Sequence, residues 1–102
     1  MFLKFFIYKI DGSSMSPPIE NNSFVLMKSF EKKKINKFFI FKHRFYGKLI
    51  KKLVKIDSSN HFWFEGEHQS SITQKQIGPI EECDVEGQIL VSISKSSIKL
   101  HL

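Results

Sequence analysis

The sequence has few residues that could form disulfides, metal sites or flexible linkers. It contains one cysteine, Cys83, among 102 residues, so no internal disulfide can form. We therefore expect a reducing compartment and a cytoplasmic protein. Four histidines and this cysteine lack zinc-ligand spacing, and no phosphate-binding glycine loop occurs, so we expect no metal and no cofactor. Because neither a repeat nor a low-complexity linker is found, residues 1–102 are expected to form a single domain.

Long apolar runs are also missing. Residues 1–10 read MFLKFFIYKI, which is apolar but interrupted by Lys4 and Lys9. A membrane-spanning helix needs about 20 apolar residues, and a signal peptide needs a small-residue cleavage site. We interpret this segment as a first strand and expect no membrane contact beyond a weak one there, which keeps a membrane-associated protein as the alternative location.

Aromatic residues and lysines are plentiful. The chain has eleven Phe, a net charge of +6 and a pI near 9.5. Aromatic and β-branched residues favour strands. A basic chain is compatible with an anionic partner, such as a nucleic acid or a membrane surface, but solvated lysines explain the charge equally well.

Apolar segments of strand length recur along the chain, separated by turn residues. No segment shows a helical period over ten residues, and residues 66–76 are polar and loop-like. Strands are predicted at residues 1–10, 24–30, 37–42, 47–57, 61–64 and 85–94, with short extended segments at 77–80 and 97–102. The predicted fold class is all-β: a small barrel or sandwich of mostly antiparallel strands.

The turn after the first strand carries a candidate nucleophile. Gly12, Ser13, Ser14, Met15 and a serine-proline pair follow one another there. A nucleophilic serine needs a tight, exposed turn with a backbone N–H group available for the oxyanion. Serine in such a stretch is more often only a turn residue, so the motif alone is weak.

A candidate base lies in the strand at residues 47–57. Alternation places Lys51 on the same face as Leu49 and Leu53. A lysine drawn into an apolar site has a lowered pKa because desolvation and the neighbouring charge of Lys52 both disfavour the ammonium form. A solvated lysine is the ordinary alternative.

These segments together resemble the signal peptidase I family of Ser/Lys peptidases. Gly12, Ser14, Met15 and Pro17 match its Gly-x-Ser-Met-x-Pro signature, and residues 50–53 resemble its Val-Lys-Arg-Val strand. The resemblance implies a serine endopeptidase with Ser14 as nucleophile and Lys51 as general base. It also implies a core like that of the C-terminal domain of LexA-type repressors.

Further boxes follow in the family's order. Gly66-Glu67-His68 resembles its Gly-Asp-Asn box, which implies a structural pair between Lys52 and Glu67. Ser71 keeps the hydroxyl that orients the lysine in the family, whereas Thr73 and Lys75 replace an Asp and an Arg. The resemblance also assigns Gly12, Ser13 and Met15 to oxyanion and substrate binding.

The missing anchor and missing inserted domain make the chain most similar to short, soluble members such as the nickel-type superoxide dismutase maturation proteases. The implied partner is a precursor protein that loses an N-terminal leader, with the nickel superoxide dismutase precursor as one candidate. No nucleic acid is expected as a partner.

Two alternatives remain open. One is a self-cleaving, LexA-like repressor-type peptidase, although only thirteen residues precede Ser14. The other is a basic β-barrel that binds nucleic acid by stacking bases on aromatic residues interleaved with lysines. The residues offered for stacking are Phe39, Phe41, Phe45, Phe62 and Trp63.

Overall fold

The computed structural model describes residues 4–10, 15, 18–30, 32–68 and 71–102. These residues form seven strands, one short α-helix and one 3-10 turn. The strands are β1 (Phe5–Lys9), β2 (Phe24–Ser29), β3 (Phe38–His43), β4 (Gly47–Ile56), β5 (Phe62–Glu65), β6 (Val85–Ile93) and β7 (Ile98–Leu100). The helix α1 spans Gln74–Ile77, and the 3-10 turn spans Glu82–Asp84.

All seven strands belong to one antiparallel sheet. Its order is β1-β2-β6-β3-β4-β5, and β7 pairs with β6. The all-β prediction is therefore confirmed, but the sheet stays open instead of closing into a barrel. In the described part of the chain, no helix is long and apolar enough to cross a bilayer.

Both faces of the central strand β3 are buried. Phe39 and Phe41 belong to one hydrophobic cluster and Phe38 and Ile40 to another. Successive side chains of a strand point to opposite sides of the sheet, so the two clusters lie on opposite faces. We call these the Phe39 face and the Phe38 face. An apolar run without alternation, such as the start of β3, is what a strand covered on both sides requires.

The Phe39 face holds an aromatic core. Phe41 stacks on Phe64 with ring centroids 4.1 Å apart, and Phe62 extends the stack. Ile77 and Ile80, which lie outside the sheet strands, complete this cluster. Residues 72–80 therefore cover the part of the Phe39 face formed by β3, β4 and β5.

The Phe38 face holds a second, mainly aliphatic core. It contains Val25 and Met27 of β2, Ile89 of β6 and two residues from the connection between β1 and β2, Met15 and Ile19. These side chains are at most 3% exposed. The connection that carries the candidate nucleophile is thus anchored to the Phe38 face by the residues that follow it.

The prediction that residues 66–76 are loop-like and 77–80 extended is wrong over residues 74–77, which form α1. The helix starts with a capping box, in which the Thr73 hydroxyl accepts from the Gln76 N–H group and the Gln76 side chain accepts from the Thr73 N–H group. A single turn of helix is too short to show a periodic pattern, but Thr73 and Gln76 have capping-box spacing. Ile77 then turns inward, and its carbonyl oxygen accepts a 2.8 Å hydrogen bond from Nε2 of His43.

The aromatic core of the Phe39 face should dominate stability. We expect Phe41→Ala to lower the free energy of unfolding by about 3–5 kcal/mol, because it removes a fully buried ring and leaves a cavity. Phe45 lies just beyond β3 and is 81% exposed, so Phe45→Ala should change stability by less than about 0.5 kcal/mol. Urea unfolding of both variants tests this, and equal losses would contradict the assignment of the core.

Candidate active site

The Lys51 side chain is buried on one face of the sheet. It lies on β4 opposite Phe39 of β3, and its neighbour on the same face is Leu53. Phe39 and Leu53 belong to the aromatic core, and directly opposed residues share a face. The lysine therefore projects from the Phe39 face, as its alternation with Leu49 and Leu53 predicts. Only 2% of the residue is exposed.

Burial changes the protonation equilibrium of this side chain. Desolvation lowers the pKa of Lys51 from its ordinary value, because an apolar site disfavours the ammonium form. Within the described ranges, no carboxylate forms an ion pair with Lys51 that would restore its charge. A buried lysine without a counter-charge is shifted toward the neutral amine, which is the form a general base requires.

The adjacent Lys52 points to the other side and has the opposite environment. Its Nζ atom lies 2.9 Å from Oε1 of Glu67 and 3.9 Å from Oε1 of Glu65. The two residues expected to form a structural pair thus form an ion pair in the structure. Their side chains are 26% and 23% exposed, so the pair fixes the segment after β5 against β4.

The structure describes residues before and after the predicted nucleophile, but not the nucleophile itself. Gly12, Ser13 and Ser14 lie outside the described residues. Before them, the Ile10 N–H group donates to the Ser23 carbonyl oxygen at 2.7 Å, and the Asn22 N–H group donates to the Ile10 carbonyl oxygen at 2.9 Å.

After the nucleophile segment, Met15 is 3% exposed and packs with Ile50 in the cluster of the Phe38 face. Lys51, the next residue, projects from the opposite face, so this described flank lies across the sheet from the candidate base. Both flanks of residues 11–14 are therefore held by the protein.

Ser71, the expected orienting hydroxyl, follows the Glu67 segment and is half-buried. Its backbone N–H group donates to the His68 carbonyl oxygen at 2.9 Å. The structure thus places Ser71 in the connection between β5 and α1, four residues after the carboxylate that pairs with Lys52.

Gln88, a buried residue that the sequence analysis did not select, lies in the same cross-strand row as Lys51. Gln88 of β6 is 2% exposed and is the partner of Phe39 on the side away from Lys51. Its Nε2 atom has no hydrogen-bond partner among the described residues. A lone glutamine inside the apolar strand β6 was the available signal, but its alignment with Lys51 depends on the β3–β6 pairing, which the sequence does not show.

A second serine has a histidine partner. Oγ of Ser92 lies 2.8 Å from Nε2 of His101, and burial, aided by Lys99 and Lys37, lowers the pKa of His101. Ser92 is only 4% exposed, near the end of β6. A substrate cannot reach this hydroxyl without opening the sheet, so we interpret the pair as structural.

The one described group with metal-ligand proximity comprises Glu81, Cys83 and Asp84, which are exposed or half-buried. Local desolvation, with further contributions from Asp84 and Glu81, raises the pKa of the Cys83 thiol. A protonated thiol is a poor ligand and a poor nucleophile, so this group has the character of ordinary surface.

The aromatic residues considered for base stacking are mostly inaccessible. Phe39, Phe41 and Phe62 are fully buried. Trp63 donates its indole N–H to Asp57 at 2.9 Å and is half-buried. Of the five residues proposed for stacking, only Phe45 offers an open ring, whereas base stacking along a strand of nucleic acid uses several successive rings.

Comparison of the chain with protein-family models, with curated proteins and with solved structures finds no match in any of the three.

The burial of Lys51 should reduce stability in a pH-dependent way. Because the lowered pKa means that the unfolded chain binds more protons between the folded and unfolded pKa values, wild-type stability should rise with pH across that window, up to about pH 10.5. We expect Lys51→Met to stabilise the protein by about 1–3 kcal/mol at neutral pH. The stability gained by Lys51→Met should shrink as the pH approaches 10.5, the ordinary pKa of lysine.

Lys55→Met is the matched control, since Lys55 lies on the same strand and is exposed. Chemical unfolding at several pH values measures both differences. A Lys51→Met variant that is destabilised, or whose effect is the same at every pH, would contradict a buried neutral amine.

The Lys52–Glu67 pair should contribute measurably to stability. We expect a double-mutant cycle with Lys52→Ala and Glu67→Ala to give a coupling energy near the upper end of the range for partly exposed pairs, about 1 kcal/mol. Lys33 and Glu82 are 3.4 Å apart and 42% exposed, so their cycle should give less than about 0.5 kcal/mol. Equal couplings would show that the Lys52 pair has no special role.

Proposed function

We propose that the protein is a serine endopeptidase in which Ser14 is the nucleophile and Lys51 the general base, and that it removes an N-terminal leader from a precursor protein. The observation that carries the proposal is the burial of Lys51 in the aromatic core without a counter-charge among the described residues. Retaining a lysine in such a place costs stability. A neutral amine that can accept a proton is a functional reason to retain it.

The reaction follows from these two groups. The neutral Lys51 amine takes the hydroxyl proton of Ser14 as Oγ attacks the carbonyl carbon of the scissile peptide. The carbon–nitrogen bond then breaks, the proton passes from Lys51 to the leaving amine, and an acyl-enzyme remains. Water attacks this ester while Lys51 accepts its proton, and return of that proton to Ser14 restores the enzyme. Backbone N–H groups near Gly12 and Ser14 would hold the oxyanion.

The resemblance to the signal peptidase I family implies a peptide with small residues at the cleavage point. The sheet has β1 and β5 as its outer strands in the described pairing order, and an extended peptide can add to such an edge through backbone hydrogen bonds. A metal-binding precursor of the nickel superoxide dismutase type is one substrate of this class.

The proposal predicts that cleavage depends on both groups. Ser14→Ala and Lys51→Met should each lower kcat/KM by at least about a thousandfold, since nucleophile and base act as a unit. Lys55→Met should retain wild-type activity. The assay incubates the purified protein with a pooled peptide library rich in small residues and identifies new termini by mass spectrometry.

The pH profile separates catalysis from structure. In the wild type, kcat/KM should rise with pH as Lys51 loses its proton, with an inflection below 10.5, because burial lowers this pKa. Cleavage that persists in folded Ser14→Ala would refute the nucleophile, and an unshifted inflection would refute Lys51 as the base.

A further inference from the structure

The half of the Phe39 face that α1 does not cover is apolar. Across strands β1, β2, β6 and β7, one row of partners consists of Ile7, Leu26, Val91 and Leu100. Directly paired residues lie on the same side of a sheet, so these four side chains form a continuous stripe. Ile7 is 71% and Leu100 69% exposed. No described element packs over this stripe.

The neighbouring row continues the same surface. Its members are Lys9, Phe24, Ile93 and Ile98, again in register across the four strands. The three apolar residues of this row are 45–70% exposed. We call the two rows together the open apolar face. Exposed apolar patches of this extent on a small protein indicate an interaction surface.

The charged residues that line the described concavity at the open apolar face are lysines. Lys9 and Lys95 flank Phe24 and Ile93 around a concavity of about 560 Å³. The described strands β1, β2 and β7 contain no acidic residue, and the chain as a whole carries a net charge of +6. A second copy would bring the same lysines against these, whereas an anionic bilayer offers both apolar depth and opposite charge.

We propose that the open apolar face docks on the surface of an anionic lipid bilayer, with its apolar side chains inserted at the headgroup boundary and Lys9 and Lys95 at the phosphates. The sequence analysis expected at most a weak contact through the first segment. The structure extends the apolar surface over four strands. The docking proposal does not depend on peptidase activity, so a result that refutes the peptidase would not refute membrane docking.

Cosedimentation with vesicles of phosphatidylglycerol and phosphatidylcholine in equal parts tests the docking. We expect wild-type protein to bind these vesicles and to bind pure phosphatidylcholine far more weakly. Ile7→Ser and Ile98→Ser, which lie on different strands, should each weaken partitioning about tenfold. Phe45→Ser removes an exposed apolar side chain outside the open apolar face and should leave vesicle binding unchanged. Thermal unfolding checks that every variant is folded.

A matched pair of double variants tests the contribution of Lys9 and Lys95. The double variant Lys9→Gln/Lys95→Gln should weaken binding to the anionic vesicles about thirtyfold, since each lysine near such a surface contributes about 1 kcal/mol. Lys33→Gln/Lys55→Gln removes the same charge elsewhere and should have a much smaller effect. Undiminished binding of both isoleucine variants, or a dimer in light scattering that Ile98→Ser dissociates without any vesicle binding, would overturn the proposal.

Discussion

A lysine side chain inside an aromatic core is the constraint on which the functional interpretation depends. Burial lowers the pKa of the Lys51 amine, and among the described residues no carboxylate pairs with it. Its neighbour Lys52 has Glu67 at 2.9 Å on the opposite side of the strand. The alternation of one strand thus gives two consecutive lysines different environments, one buried with a lowered pKa and one paired with a carboxylate. The sheet itself, without any cofactor, can create this chemical difference.

The two faces of the sheet have different roles. The Phe38 face is covered by the connection between β1 and β2 through Met15 and Ile19. Among the described residues, the Phe39 face is covered over β3, β4 and β5, where α1 and Ile80 lie. The uncovered half lies on the same side of the sheet as Lys51, because the register continues from Lys51 through Phe39 and Gln88 to Lys28 of β2. Any partner of the open apolar face would therefore approach the protein from the side on which the buried amine lies.

Much of this architecture could be predicted from local patterns. Phenylalanine-rich segments bounded by turn residues indicated the strands, and the alternation of Leu49, Lys51 and Leu53 placed the lysine on the apolar side. The helix α1 was missed because one turn carries no period. The exposed face and the position of Gln88 could not be predicted, because they depend on strand order and register. The insertion of β6 between β2 and β3 is a long-range pairing that no local pattern encodes.

The insertion of β6 also has a consequence for folding during synthesis. The hairpin of β1 and β2 and the meander of β3, β4 and β5 each consist of neighbours in sequence, so each can form early. The two parts are joined in the sheet only through β6, which is translated after both. The segment that carries Ser14 and the strand that carries Lys51 consequently remain in separate modules until residues 85–93 emerge from the ribosome. In a nascent chain built this way, the hairpin and the meander would stay unconnected in the sheet until its last central strand is in place.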